Sequence, residues 1–188
     1  METIFGNGRE YMSDTSFSFM AFGYKLRDIF LPKDRFIESL GIREGMTVID
    51  YGCGPGSYIK KTSELVGQNG KVYAVDRHKL AINAVKQRVR KYGLKNVEPV
   101  MVEGYSCRLR ERIADIVFAF DIFHMIEDPT AFLKELHRLL RSEGYLLISK
   151  GHQSRDEAKR KIQNTGIWQI EPENSHFFKC RPLNPTIS

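Results

Sequence analysis

Val48-Ile49-Asp50-Tyr51-Gly52-Cys53-Gly54-Pro55-Gly56 is an apolar run that ends in a Gly-x-Gly-x-Gly turn. Thr47 to Tyr51 has the length and composition of a buried strand, and a helix is predicted to begin near Ser57. Glycines allow a tight turn and let the backbone approach a ligand closely. The helix start behind them is expected to offer unpaired N–H groups and the positive end of a dipole, suited to a carboxylate or phosphate. Cys53 sits inside this turn, where a small side chain is required.

The same strand–turn–helix rhythm continues outward. Val72 to Val75 reads as a second strand. Residues 78 to 92 read as a helix with Ala81, Val85, Val89 and Tyr92 on one face. Val97 to Val102 is a third strand, and Pro99 argues for an edge position because it cannot donate to a ladder. Ile113 to Phe120 is apolar enough to be buried on both faces. Asp128-Pro129 is a helix start, with Asp as the cap and Pro in the first turn. Phe132, Leu136, Leu139 and Leu140 form that helix's core stripe as far as Gly144, and Tyr145 to Ser149 is a fifth strand. A charged helix over residues 154 to 164 follows. The strands Ile167 to Ile170 and His176 to Cys180 are joined by too few residues for a crossover, so they predict an antiparallel hairpin. The fold class is therefore α/β: a doubly wound, Rossmann-like, seven-stranded sheet, mostly parallel, with a C-terminal antiparallel hairpin.

Upstream, residues 1–40 carry eight of the chain's 21 aromatics without strand alternation. They read as a separate helical segment, with a short amphipathic helix at Phe36, Ile37 and Leu40 ending at Gly41. Residues 41–188 form the main domain.

Length and composition agree with one ordinary domain: 188 residues, 41% hydrophobic and 28% charged. No apolar run reaches the ~18 residues of a membrane span, and the N-terminus has no basic leader pattern, so a cytoplasmic protein is expected. Cys53, Cys107 and Cys180 are too scattered for a disulfide framework or a zinc site, and no metal is expected. A net charge of +6 raises the prospect of an anionic partner.

Val72-Tyr73-Ala74-Val75-Asp76 places a carboxylate at the end of the second strand, 20 residues after Gly56. An acid at that distance can accept two hydroxyl hydrogen bonds from a ribose. Ser57 stands where a dinucleotide motif would have its third glycine, and little chain is left for a separate substrate domain. A nucleoside cofactor other than NAD is favoured.

Asp50-x-Gly52-x-Gly54-x-Gly56 together with Asp76 resembles the cofactor signature of class I S-adenosylmethionine-dependent methyltransferases. The closest likeness is to the small type-11 branch, related to ubiquinone and menaquinone C-methyltransferases. It extends over residues 26 to 180 or so. Ala114 to Val117 resembles the family's fourth-strand motif. Phe123 to Pro129 resembles the segment after it, and Phe132 to Gly144 the helix before the fifth strand. The resemblance implies S-adenosyl-L-methionine as cofactor and S-adenosyl-L-homocysteine as product. It also implies roles: Gly52, Cys53, Gly54 and Gly56 contact the methionine part, Asp50 orders that loop, and Asp76 binds the ribose. Arg77 lies beside the adenine, Glu103 with Gly104 near its amino group, and the backbone of Phe120 and Asp121 near the sulfonium. Glu103 departs from the family's usual Asp. Cys107 to Arg112 is basic where relatives tend to be apolar or acidic.

Methyl transfer from a sulfonium needs alignment and exclusion of water, and a base only if the acceptor must lose a proton. No catalytic residue is assigned. His124 and His152 follow the fourth and fifth strands and are the candidates for a base. Phe17, Phe19, Phe22 and Tyr24 are expected to form a lid over an apolar acceptor. A small-molecule acceptor is expected. Arg108, Arg110 and Arg112 suggest an RNA or protein acceptor as the alternative, and a non-catalytic cofactor-binding subunit is a third reading. The acceptor, the atom methylated and the oligomeric state are not legible.

Overall fold

The computed structural model describes residues 34–172 and 176–183. Phe17, Phe19, Phe22 and Tyr24, offered above as a lid, lie outside the described residues. The elements are α1 (Asp34–Glu38), β1 (Thr47–Tyr51), α2 (Ile59–Val66), β2 (Lys71–Asp76), α3 (Lys79–Tyr92) and β3 (Val97–Met101). They continue with β4 (Ala114–Ala119), a 3₁₀ turn (Phe123–Met125), α4 (Pro129–Leu139), β5 (Leu140–Ile148), α5 (Arg155–Gln163), β6 (Trp168–Ile170) and β7 (Phe178–Pro182).

The seven strands form one sheet in the order β3-β2-β1-β4-β5-β7-β6. β1 to β5 are parallel, and β7 runs antiparallel to both β5 and β6. β3 is an edge strand, as Pro99 requires. The chain winds outward from β1 to β3 and then crosses back to β4 beside β1. The C-terminal ends of β1 and β4 therefore flank the switch point, where an open α/β sheet leaves a crevice.

Alternation along each strand feeds two cores. Val48, Val72, Ala74, Ile116, Phe118 and Leu147 face Ile37, Leu40, Ile59, Val66 and Val85, so α1, α2 and α3 cover that side. Ile49, Val75, Val117, Ala119, Leu146 and Ile148 face Phe132, Leu133, Leu136, Leu139, Ala158 and Ile162, the inward stripes of α4 and α5. Burial of each such side chain is worth about 1.5–3 kcal/mol. α4 begins as expected, with the Asp128 carboxylate accepting the Ala131 N–H at 2.9 Å and Pro129 in the first turn.

Details differ from expectation, among them the last strand, which runs Phe178–Pro182 rather than His176 to Cys180. α2 starts at Ile59 after an extended turn, not near Ser57. Tyr92 is 40% exposed, and Ile82 takes its place in the α3 core stripe. Leu140 belongs to β5, pairing with Ala114 before the register shifts at Ile116. Gly144 makes that irregularity feasible, because a Cβ there would meet the Asp115 and Ala114 carbonyl oxygens at 2.9 and 3.0 Å.

A candidate cofactor and acceptor site

The loop after β1 is clasped to the end of β2. The Gly52 and Cys53 N–H groups both donate to the Val75 carbonyl, at 2.8 and 3.0 Å. The Gly54 N–H donates to Asp76 Oδ2 and the His78 N–H to Asp76 Oδ1, each at 2.8 Å. The Gly56 N–H closes the turn on the Cys53 carbonyl at 3.0 Å. These loop N–H groups are thus directed into the protein. Two carboxylates, Asp50 at 2% exposure and Asp76, stand beside them.

A loop of this kind disfavours a phosphate and favours a ligand that brings donors. Each Asp76 oxygen accepts one backbone N–H and retains a second lone pair for a hydroxyl. Burial raises the Asp76 carboxyl above its ordinary value, and the His78 and Gly54 N–H groups work against that shift. Gly54 has φ +52°, and a Cβ on it would meet nothing within 4 Å, so its face is open. Gly52, at φ +81°, is the opposite case: a Cβ there would strike Ile122 at 2.5 Å. That contact brings the segment after β4 against the glycine loop. These residues fit S-adenosylmethionine, which carries two ribose hydroxyls, an ammonium and a sulfonium but no phosphate.

The Val102 N–H donates to the Asp76 carbonyl at 3.1 Å, which holds the end of β3 beside β2. Glu103 and Gly104 follow directly, both exposed, with Glu103 bridged to Ser106 and Gly104 open at φ +63°. Arg77 is exposed on the same rim. Across the switch point, Asp121 is held at φ +59°, a left-handed conformation rare for a residue with a side chain. The Ser149 hydroxyl accepts its N–H at 2.8 Å. The Cys53 thiol is pushed well above its usual range by burial and then by Asp76 and Asp50, so it stays protonated and is not a nucleophile.

His124 lies in the 3₁₀ turn, its ring 4.7 Å from that of His152 and nearly perpendicular to it. Gly151 makes room, since a Cβ there would fall 2.1 Å from His124 Nδ1. Nδ1 is buried and has no hydrogen-bond partner among the described residues. Burial and then the neighbouring His152 hold the His124 pKa below its ordinary value, with Asp121 opposing them. The ring is therefore neutral at pH 7.

Sequence reasoning missed an aromatic group on this rim. Phe120 packs with Phe36 at 5.3 Å, with Tyr58 at 5.8 Å and with Phe177 at 6.2 Å between ring centroids. These rings come from α1, the turn before α2, the end of β4 and the chain before β7. Only their aromatic character was visible in advance. Arg108, Arg110 and Arg112, in contrast, are not gathered here. Their loop runs from the β3 end down the sheet, and the Arg112 and Ile113 N–H groups donate to the Arg138 and Leu139 carbonyls at the opposite end of the strands. Among the described residues no helix is long and apolar enough to cross a membrane.

The profile of a family described as methyltransferase domain matches residues 42–175. A solved S-adenosylmethionine-dependent methyltransferase from Aquifex aeolicus superposes with a TM-score of 0.78 at 26% identity, over 93% of this chain and 100% of that one. A ubiquinone/menaquinone biosynthesis C-methyltransferase of Shewanella oneidensis is 27% identical over 138 residues, covering 73% of this chain and 55% of its own length. A cobalt-precorrin-6B C(15)-methyltransferase (decarboxylating) of Saccharolobus solfataricus is 38% identical over 68 residues, 36% of this chain and 34% of that one. The chain thus spans between a third and somewhat over half the length of the curated relatives it matches. With the fold, the clasped glycine loop and these likenesses in agreement, the chain belongs to the methyltransferase domain family, within the class I methyltransferases whose cofactor is S-adenosylmethionine and whose product is S-adenosylhomocysteine.

Proposed function

We propose that this chain transfers a methyl group from S-adenosylmethionine, in line, to a small acceptor with an apolar body. The observation that carries this reading is the group of Phe36, Tyr58, Phe120 and Phe177 at the switch-point rim, where Phe36 and Tyr58 are only partly buried. An aromatic wall beside the cofactor loop suits a planar or apolar molecule rather than a hydrated chain. Two of the relatives carry names of small-molecule methyltransferases, one for ubiquinone and menaquinone and one for a cobalt precorrin.

Bound S-adenosylmethionine supplies a methyl group activated by sulfonium and leaves as a neutral thioether. In this reading Asp76 accepts the ribose hydroxyls, and Arg77, Glu103 and Gly104 border the adenine. The carbonyls of the loop Gly52 to Gly54 take the ammonium, with Asp50 and Gly56 shaping the turn. Phe120 and Asp121 line the sulfonium side, and the buried faces exclude water from it. In the same reading His124, neutral and beside His152, takes a proton from an acidic acceptor such as an enol or phenol.

The test is methyl-labelled cofactor incubated with the purified chain and separate panels of quinols, phenols, tetrapyrroles, RNA and protein. Label is expected in the organic-extractable small molecules. Label confined to RNA or protein contradicts the reading.

A further inference from the structure

A cavity of about 730 Å³ lies at the N-terminal ends of the central strands, the end of the sheet opposite the cofactor loop. Its walls include Thr47 at the start of β1, Ile113 just before β4, Arg141 near the start of β5, and Tyr73. β1 separates Thr47 from the glycine loop by roughly 13 Å at ~3.3 Å per residue. The volume falls within the range of small-molecule sites.

The remaining lining is dominated by cations. Arg108, Arg110, Arg112 and Arg141 contribute guanidinium groups, and Glu111 is the one carboxylate among the lining residues. Arg141 is ion-paired with Asp115, whose other oxygen accepts the Thr47 N–H at 2.7 Å. The side chains of Arg108, Arg110 and Arg112 have no acidic partner among the described residues, although like charges gathered this closely repel one another. Leu109 and Ile113 supply an apolar floor, and Tyr73 an aromatic ring.

The loop that presents these arginines is built to hold them in place. Arg138 on α4 donates to the Leu109 carbonyl at 2.9 Å and to the Cys107 carbonyl at 3.1 Å. Glu135 accepts the Cys107 N–H at 3.0 Å and is itself ion-paired with Arg138 at 2.7 Å. Cys107 and Leu109 are thereby tied down while the alternate residues project outward. Arg112 is held at φ +53°, outside the usual backbone regions for such a residue. Guanidinium groups carried on a fastened backbone suit phosphoryl oxygens in charge and hydrogen-bonding capacity.

We propose that this cavity binds a small polyanion, a compact organic molecule carrying two or more phosphoryl groups, independently of the methyl-transfer site. The concave, partly apolar lining favours such a molecule over the extended backbone of a nucleic acid.

The experiment is calorimetric titration of the full chain with inorganic tripolyphosphate at physiological ionic strength, and in parallel with a single-stranded RNA oligomer. Saturable binding of tripolyphosphate is expected, weakened about tenfold or more in the Arg108→Gln/Arg110→Gln/Arg112→Gln variant. Affinity for S-adenosylhomocysteine, which also reports that the variant is folded, is expected to stay within twofold. Should the triple variant fail that control, the exposed single substitution Arg110→Glu is read in its place, with the same loss expected. Absent or unsaturable binding of tripolyphosphate, or affinity indifferent to these substitutions, overturns the proposal. RNA binding that is tighter than tripolyphosphate and lost in the same variant also overturns it, in favour of a nucleic-acid surface.

Discussion

The His124 ring is where the site is most sensitive to pH. Burial and the adjacent His152 lower its pKa, so its neutral form extends below the ordinary histidine range. The sign follows directly: the folded protein releases this proton more readily than the unfolded chain. The stability it contributes is present above the ordinary histidine value of 6.5 and is lost as pH falls through the lower folded value. If His124 takes the acceptor's proton, kcat/KM rises with pH to a plateau by neutrality, with an apparent pKa that belongs to the histidine pair. His124→Gln is expected to remove that acid limb and lower kcat by roughly 10²-fold or more. A pH–rate profile of both proteins checks this. An unchanged profile in the variant assigns the ring a packing role. None of this pairing is visible in the chain order, because His124 and His152 meet only when Gly151, in the turn after β5, leaves room for the ring.

Among the elements, α4 does more than cover the sheet. Its cap at Asp128 is legible because every participant lies within four residues. Its other function is not legible: Arg138 and Glu135 fasten a loop some thirty residues away in sequence. Burial works against ionisation of Glu135, but the Arg138 guanidinium and the Cys107 N–H more than offset it and hold the carboxyl below its usual value. Arg138→Ala is expected to cost about 2–3 kcal/mol in urea unfolding, because it strands the largely buried Glu135 and frees the loop carbonyls. In the parent protein the pair's contribution is full above the ordinary glutamate value of 4.5 and is lost as pH falls through the depressed folded value. The variant should therefore lose its extra acid sensitivity along with the stability. Equal urea midpoints at pH 7 would show that the loop is held by other means. The misplaced Leu140 has the same origin. Its helical spacing is sound locally, but pairing with Ala114 across the sheet claims it for β5.

At the level of the whole molecule, the fold class, the largely parallel sheet and its antiparallel C-terminal hairpin were readable because the strands and helices alternate and each carries its own apolar period. Pro99 alone placed β3 at an edge. The glycine turn was also readable, but the direction of its N–H groups was not, since Val75 and Asp76 become their acceptors only once β1 and β2 lie side by side. The aromatic rim needed four separate segments to converge. The arginine loop was read from composition as an argument about the acceptor, and the topology carries it to the opposite end of the strands. The central claim is that the switch-point crevice holds S-adenosylmethionine on Asp76 and the clasped loop. Its most direct test is calorimetric titration of the parent protein and of Asp76→Ala with S-adenosylmethionine, S-adenosylhomocysteine and NAD. The account predicts saturable binding of both adenosyl ligands and none of NAD, with Asp76→Ala weaker by more than tenfold, about 1.4 kcal/mol or more. Binding of NAD alone, or an affinity unchanged in Asp76→Ala, would contradict it.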